Sequence, residues 1–178
     1  LLLAAYDTAF DDGPLQSAHV APIALVFLSN LLRPDAQETF RYFASQGVSV
    51  RVISGDNPIT VAQVAARAGI ENADRYVDAM TLSTEQDFEE AVKYYTVFGR
   101  VTPEQKRYLV RAFQKQGHTV AMTGDGVNDV LALKDANCGI AMASGSQAAS
   151  QVAQIVLLNS QFSAMPAIVA EGRRVINN

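Results

Sequence analysis

The hard oxygen donors of this chain concentrate in one stretch, Thr123-Gly124-Asp125-Gly126-Val127-Asn128-Asp129. Asp125 stands between two glycines, so the backbone can turn tightly there and a ligand can come close. The stretch follows an apolar run, residues 118–122, that reads as a buried strand. It precedes an apolar-periodic run, residues 127–136, that reads as a helix. If the helix starts at the turn, Asp125 sits at its mouth, and Asn128 and Asp129 lie in its first turn. Two carboxylates and an amide then gather where a parallel sheet opens its binding crevice. Such donors suit Mg²⁺ and, through it, phosphate. The alternative is a plain Gly/Asp turn whose carboxylate favours the helix N-terminus.

Further polar groups follow other expected strands. Asn30 and Arg33 come after the strand at 23–28, Ser54-Gly55-Asp56 after that at 48–53, and Arg100 after that at 96–98, with Lys106 in the helix beyond. In a doubly wound sheet the C-terminal strand ends share one edge, so groups distant in sequence can meet. Together they have the makeup of a phosphoryl-transfer site: a hydroxyl, backbone N–H groups, a lysine, an arginine and a metal carboxylate. Each also has a structural explanation. Ser54 and Asp56 could cap a helix, Lys106 could be a solvated helix charge, and Arg100 could pair with a nearby carboxylate. His19 and His118 show no ligand spacing and read as structural.

The positioning elements alternate. Strands are expected over residues 1–6, 23–28, 48–53, 76–77, 96–98, 118–122, 138–142 and 155–158, those at 23–28 and 118–122 buried. Helices are expected over 33–46, 58–68, 84–94, 103–116, 127–136, 147–153 and 162–176. Pro34, Pro58 and Pro103 suit first helical turns, and Gly47, Gly69 and Gly117 suit stops. Thr102 and Gln105 have the spacing of a capping box. Residues 7–22, with Gly13-Pro14, read as loop or linker. This order predicts an α/β fold: a Rossmann-like parallel sheet flanked by helices.

A chain of 178 residues, 49% hydrophobic and 18% charged, can bury one substantial core and is not disordered. Its net charge of −4 argues against nucleic acid as a partner. The lone cysteine, Cys138, allows no internal disulfide and reads as a small buried hydrophobe. Apolar runs fall short of the ~20 residues of a membrane helix. Residues 1–5 are apolar but soon meet Asp7, Asp11 and Asp12, unlike a secretory signal. The first residue is leucine, which suggests a piece of something longer.

Several motifs, in order, resemble those of P-type cation-transporting ATPases, within the haloacid dehalogenase-like superfamily. TGDGVND over residues 123–129 is similar to that family's hinge signature. Val52-Ile53-Ser54-Gly55-Asp56-Asn57 resembles its (V/I)TGDN segment, with serine for threonine. Residues 98–106 resemble its FARVxPxxK segment, and residues 133–142 and 171–178 also match. The likeness covers roughly residues 23–178. Residues 130–133 and 141–146 are most similar to a bacterial group called cation-transporting ATPase E, some members of which are thought to carry Ca²⁺.

The resemblance implies a mechanism and a set of roles. In the family, an aspartate in a DKTGT motif attacks the γ-phosphate of ATP and forms an aspartyl-phosphate. Asp125 would ligand Mg²⁺, and Lys106 would neutralise phosphoryl oxygens. Ser54 and Gly55 would hydrogen-bond them, and Asp56 would help order nucleotide and metal. Asn128 would contact the phosphate region and Asp129 would support the metal loop. Arg100 would lie on the nucleotide side, and Arg33 at the hinge to a nucleotide-binding domain.

Three departures qualify the likeness. DKTGT is absent from the 178 residues, and the DPxR hinge reads Asn30-Leu31-Leu32-Arg33. Membrane helices and an actuator domain are also absent from the sequence. Residues 1–22 therefore read as the tail of a nucleotide-binding domain or a linker. Residues 23–178 read as the C-terminal part of a phosphorylation domain, a cytoplasmic part of a membrane protein that is itself soluble. Its partners would be ATP, the missing nucleotide-binding, actuator and transmembrane domains, and a transported cation such as Ca²⁺. The isolated segment is expected to be inactive. A soluble phosphatase of the same superfamily and a non-catalytic nucleotide-binding module are the alternatives. Without the nucleophile strand, the strands at 48–53 and 118–122 lose their shared partner. The expectation is a gap or a foreign strand between them, and direct pairing of the two would refute it.

Overall fold

The computed structural model describes residues 2–7, 20–26 and 31–177. Expectations for Gly13-Pro14, His19 and Asn30 lie outside the described residues. Two compact units divide at Leu31 and Leu32. The first holds an antiparallel pair, β1 (Leu2–Asp7) and β2 (Val20–Val26). Its register shifts between Ala4 and Ala5, which pair with Ala24 and Pro22, leaving Ile23 as the extra residue of a bulge. A proline without an N–H is tolerated beside such an irregularity. The strand expected at 23–28 is therefore not a buried parallel one. It belongs to a hairpin, and Ile23 and Leu25 are 65% and 58% exposed.

The second unit alternates helix and strand. Its helices are α1 (Ala36–Ser45), α2 (Pro58–Arg67), α3 (Glu85–Tyr94), α4 (Pro103–Lys115), α5 (Val130–Asp135), α6 (Gln147–Val152) and α7 (Met165–Ile176). The strands are β3 (Val52–Ile53), β4 (Tyr76–Asp78), β5 (Val97–Gly99), β6 (Ala121–Gly124), β7 (Cys138–Met142) and β8 (Ile155–Leu157). They form two parallel three-stranded sheets, β3-β5-β4 and β6-β7-β8. The α/β architecture with parallel strands flanked by helices is the expected one, but it is split. β3 and β6 are edges, and they do not pair with each other.

The split explains a shortened strand. Residues 48–53 were expected to be extended throughout, yet only Val52 and Ile53 enter the ladder. Among the described residues their one neighbour is β5, itself three residues long, and no strand lies on their other side. Unpartnered backbone has no ladder to join.

Helices bridge the two sheets. Leu109, Ala112 and Phe113 of α4 pack with Phe98 and Ile53, and the same cluster takes in Val120 just ahead of β6. Val110 of the same helix packs instead with Met122, Ala132 and Leu133. Phe43 of α1 packs with Ile140, Leu157 and Val50. Phe98, Leu109 and Leu133 are 0% exposed. Each such side chain contributes about 1.5–3 kcal/mol of burial. So α4 holds both sheets in one unit, with no strand shared between them among the described residues, and α1 packs on the second sheet and on Val50 ahead of β3.

Candidate functional site

Local chemistry sets each approach to the site. Thr102 accepts a hydrogen bond from Gln105 N and Gln105 reciprocates at Thr102 N, the expected capping box, which starts α4 and fixes Lys106 in its first turn. After β6 the chain does not enter an α-helix directly. Val127–Asp129 form a 3₁₀ turn, and α5 begins at Val130. Asp129 is thereby turned inward and is 6% exposed, whereas Asp125 and Asn128 face solvent.

Asp129 is the hub. Its Oδ1 lies 2.6 Å from Lys106 Nζ. Its Oδ2 accepts from the backbone N–H groups of Asp125 at 3.2 Å and Gly126 at 3.0 Å. The carboxylate thus ties the turn to the start of α4. Gly124 must be glycine for this. A Cβ there would lie 2.6 Å from Asp129 Cβ and 2.7 Å from its Cγ, closer than carbon atoms can approach. From the other side, Ser146 N donates to the Asp125 carbonyl at 2.6 Å.

A second node joins residues 54–56 to residues 99–101. Val101 N donates to Ser54 O at 3.0 Å, and Arg100 N donates to Asp56 O at 2.8 Å. Ser54 Oγ accepts from Asp56 N, so the hydroxyl closes its own turn. Neither Ser54 nor Asp56 caps α2. Asn57 does, accepting from Ile59 N at 3.0 Å. Gly55 faces open space on the side a Cβ would occupy, with only Val101 O at 3.9 Å.

Arg100 has a left-handed backbone, φ 52°, and its Nη1 lies 2.8 Å from Asp78 Oδ2 at the end of β4. Its guanidinium is therefore engaged away from Asp129. Arg33 precedes α1 and is exposed. Lys106, Asp125 and Asp129 are brought together by direct bonds. Ser54, Gly55 and Asp56 share a node with Arg100 through backbone bonds. Arg33 and Asn128 bond to neither group among the described residues. Sequence reasoning missed Asp78, Gly145 and Ser146. Gly145 and Ser146 entered only through the 141–146 likeness, with no role at the site.

His118 stacks edge-on near Phe113 at 6.4 Å between centroids, a structural role. Cys138 is half-buried beside the Phe43 cluster. A cleft of about 240 Å³ between α1, residues 48–51 and residues 69–72 contains none of the candidate residues. Among the described residues no three His, Cys, Asp or Glu side chains gather into a metal cage. No helix among them is long and apolar enough to cross a membrane.

The sequence profile of the haloacid dehalogenase-like hydrolases matches residues 2–137. The chain belongs to that family. This haloacid dehalogenase-like chain is 55% identical over its whole length to the calcium-transporting ATPase CtpE of Mycobacterium tuberculosis and 52% identical to that of Mycolicibacterium smegmatis. It is 44% identical over 93% of its length to a probable cation-transporting ATPase of Streptococcus pneumoniae. The resemblance to P-type cation-transporting ATPases therefore holds, with bacterial CtpE among the relatives. The chain spans about a fifth of these relatives, 22% of the CtpE sequences. Among solved structures, a zinc-transporting PIB-type ATPase superposes with a TM-score of 0.61 at 27% identity, covering 79% of this chain and 19% of that one. The catalytic domain of the CPx-ATPase CopB-B shares the fold, with a TM-score of 0.60 at 20% identity, covering 85% of this chain and 47% of that one.

Proposed function

We propose that this chain is the part of a P-type cation pump that steadies a phosphoryl group while ATP transfers it to an aspartate outside these 178 residues. The observation that carries the proposal is the Lys106–Asp129 pair beneath the Gly124-Asp125-Gly126 turn, at the C-terminal end of an edge strand with an open side. In the transfer, an oxygen of that aspartate would bond to the γ-phosphorus as the bond to ADP breaks.

Lys106 would stand against the phosphoryl oxygens. One of its three N–H donors serves Asp129, and two remain. The Ser54 hydroxyl and Gly55 N–H would add hydrogen bonds, and Asn128 would contact the phosphate region. Asp56 would order the nucleotide surroundings, Arg100 would lie on the nucleotide side, and Arg33 would mark the hinge. Asp125 would hold Mg²⁺, whose charge would offset that of the phosphate. The donor chemistry fits that ion: Asp125 is one exposed carboxylate, with no cage around it among the described residues, as suits Mg²⁺ that arrives with phosphate oxygens and keeps several waters.

Residues 1–22 would be the tail of a nucleotide-binding domain or a linker, and residues 23–178 the C-terminal part of a phosphorylation domain. The whole protein would be a membrane ATPase with this part in the cytoplasm, and Ca²⁺ is the cargo to test first.

Two experiments test the reading. Incubation of the chain with ATP and Mg²⁺, or with p-nitrophenyl phosphate, is expected to release no phosphate above the blank. Multiple turnovers would make it a self-sufficient phosphatase instead. Sequencing the coding region upstream of Leu1 should reveal Asp-Lys-Thr-Gly-Thr in the same frame, and an in-frame start without it would sink the proposal.

A further inference from the structure

The turn that carries Asp125 leans on a loop from a different strand. That loop runs from the end of β7 into α6 and is pinned at four successive positions. Ala143 N donates to Leu157 O at 3.1 Å, and Ser144 N donates to Ser160 Oγ at 2.9 Å. Gly145 N donates to Met142 O at 2.9 Å, and Ser146 N donates to Asp125 O at 2.6 Å. Ser160 itself has a left-handed backbone, φ 52°, which an L-residue adopts at a cost. The loop is thus held to β8 and the turn beyond it before it reaches Asp125.

At the contact itself there is no spare room. A Cβ on Gly145 would lie 2.4 Å from the Asp125 carbonyl oxygen and 2.9 Å from its Cα and Cβ. These are backbone atoms and the root of the side chain, so no rotamer change relieves the overlap. Behind Asp125, Asp129 Oδ2 holds the N–H groups of Asp125 and Gly126. The carbonyl and Cα of Asp125 are therefore fixed by the β7–α6 loop, and its N–H by Asp129.

We infer that Gly145 and Ser146 are positioning residues for Asp125: the β7–α6 loop is a backstop that aims the Asp125 carboxylate, and glycine at 145 sets how far forward it stands. The inference rests on the proposed role of Asp125 toward a hard divalent cation, but its geometric half stands without that role.

The test uses the full 178-residue chain, with Mn²⁺ alone as a paramagnetic probe for Mg²⁺. Broadening of the Asp125 and Gly126 amide signals reports metal at the turn. Hydrogen exchange of the Asp125, Gly126 and Ser146 amides reports the backstop. Gly145→Ala should weaken Mn²⁺ binding by about ten- to a hundredfold, the usual cost of losing an outer support. It should also speed exchange at the three amides. Gly139→Ala is the control. Its Cβ would meet Leu133 O at 2.7 Å in the core, so it should destabilise the chain yet leave Mn²⁺ affinity unchanged.

Should Gly145→Ala not fold, Ser146→Pro replaces it. The φ of −68° at Ser146 suits proline, and the change removes the N–H that reaches Asp125. Ser146→Pro also loses the hydroxyl that caps α6, so Ser146→Ala, which loses that hydroxyl alone, serves as its reference: exchange at Asp125 and Gly126 should be faster in Ser146→Pro than in Ser146→Ala. Unaltered exchange and unaltered Mn²⁺ affinity in Gly145→Ala or Ser146→Pro would overturn the inference. A parent that shows no Mn²⁺ broadening would instead overturn the metal reading of Asp125. The backstop would then be decided by exchange alone, with faster exchange supporting it and unchanged exchange ending it.

Discussion

Lys106 and Asp129 form an ion pair at 2.6 Å with only 13% and 9% of their side chains exposed. The two ends of the pair are unequal. Without Lys106, Asp129 keeps two backbone N–H donors. Without Asp129, the ammonium loses its counter-charge and those two N–H groups lose their acceptor. Removing one member of a buried pair costs about 3–5 kcal/mol when the charge left behind is uncompensated. We therefore expect Asp129→Ala to cost about that much. Lys106→Met should cost about 1.5–3 kcal/mol, in the range of a single lost hydrogen bond to a charged group. Urea midpoints of the two variants check the ranking. Equal losses, or a larger loss for Lys106→Met, would mean that Asp129 does not hold the turn.

Asp135 carries the acid sensitivity of the α4–α5 contact. One of its oxygens accepts from both Arg107 Nε at 2.6 Å and Arg111 Nε at 2.7 Å. Burial pushes its carboxyl up, but the hydrogen bonds and charges of the two arginines outweigh burial and hold it below the usual carboxylate range. A group depressed in the folded state stabilises above its unfolded pKa of about 3.9, and that stability is lost as pH falls through the folded value. The arginines are 36% and 42% exposed, so solvent screening limits the effect to the order of 1 kcal/mol. Asp135→Asn should be less stable than the parent at neutral pH. The gap should close as the pH falls below the folded pKa. Chemical denaturation across that range measures it, and a gap that widens in acid would contradict the assignment.

Most local signals in the sequence carried into local structure, but Pro34 lies ahead of α1, whose N-cap is Asp35, and not in its first turn. The Thr102/Gln105 capping box is present, and Thr84 caps α3 with Asp87 returning the bond. Pro58 and Pro103 begin their helices, and Gly47, Gly69 and Gly117 follow their helices with positive φ. Lateral relationships were not legible in the same way. Periodicity shows that Val52 and Ile53 suit a strand, but a strand's length depends on neighbours that lie elsewhere in the chain. Nothing near Ile23 signals that its strand would pair antiparallel with β1. Arg100 finds Asp78 across 22 residues, a partner that sequence spacing does not indicate. Gly145 carried no site signal in the sequence because its reason for being glycine is the backbone of Asp125.

Gly99 closes β5 against the first turn of α2. A Cβ there would lie 2.4 Å from Pro58 Cα and 2.5 Å from its nitrogen, and Pro58 is buried. Backbone cannot rotate away as a side chain can, so Gly99→Ala must push α2 off the sheet. Overpacking of this kind costs about 1–3 kcal/mol or more. The expected result is a lowered unfolding midpoint. Amide shifts should change across residues 54–58, because Asp56 O and Ser54 O are tied to the neighbours of Gly99. A variant with parental stability and unmoved shifts at Ser54 would show that this contact is slack.

Arg100 presents the opposite case, a strained residue kept although glycine would sit there more easily. Its φ of 52° costs an L-residue about 1–2 kcal/mol. Its pair with Asp78 is 47% and 26% exposed and returns little, about 0–1 kcal/mol for a surface contact. Arg100→Gly relieves the strain, forfeits the pair and gives the unfolded chain more freedom, and these effects nearly cancel. We expect its stability to stay within about 1 kcal/mol of the parent. With Arg100 in the nucleotide-side role proposed above, binding of an ATP analogue, followed by calorimetry in the chain joined to the nucleotide-binding domain proposed for it, should weaken while thermal stability holds. Arg100→Lys keeps the strain and the charge but loses the planar fork, so it should lose affinity too. A stability loss above about 2 kcal/mol in Arg100→Gly, with affinity unchanged, would make the Asp78 pair a structural tie between β4 and the Ser54 node.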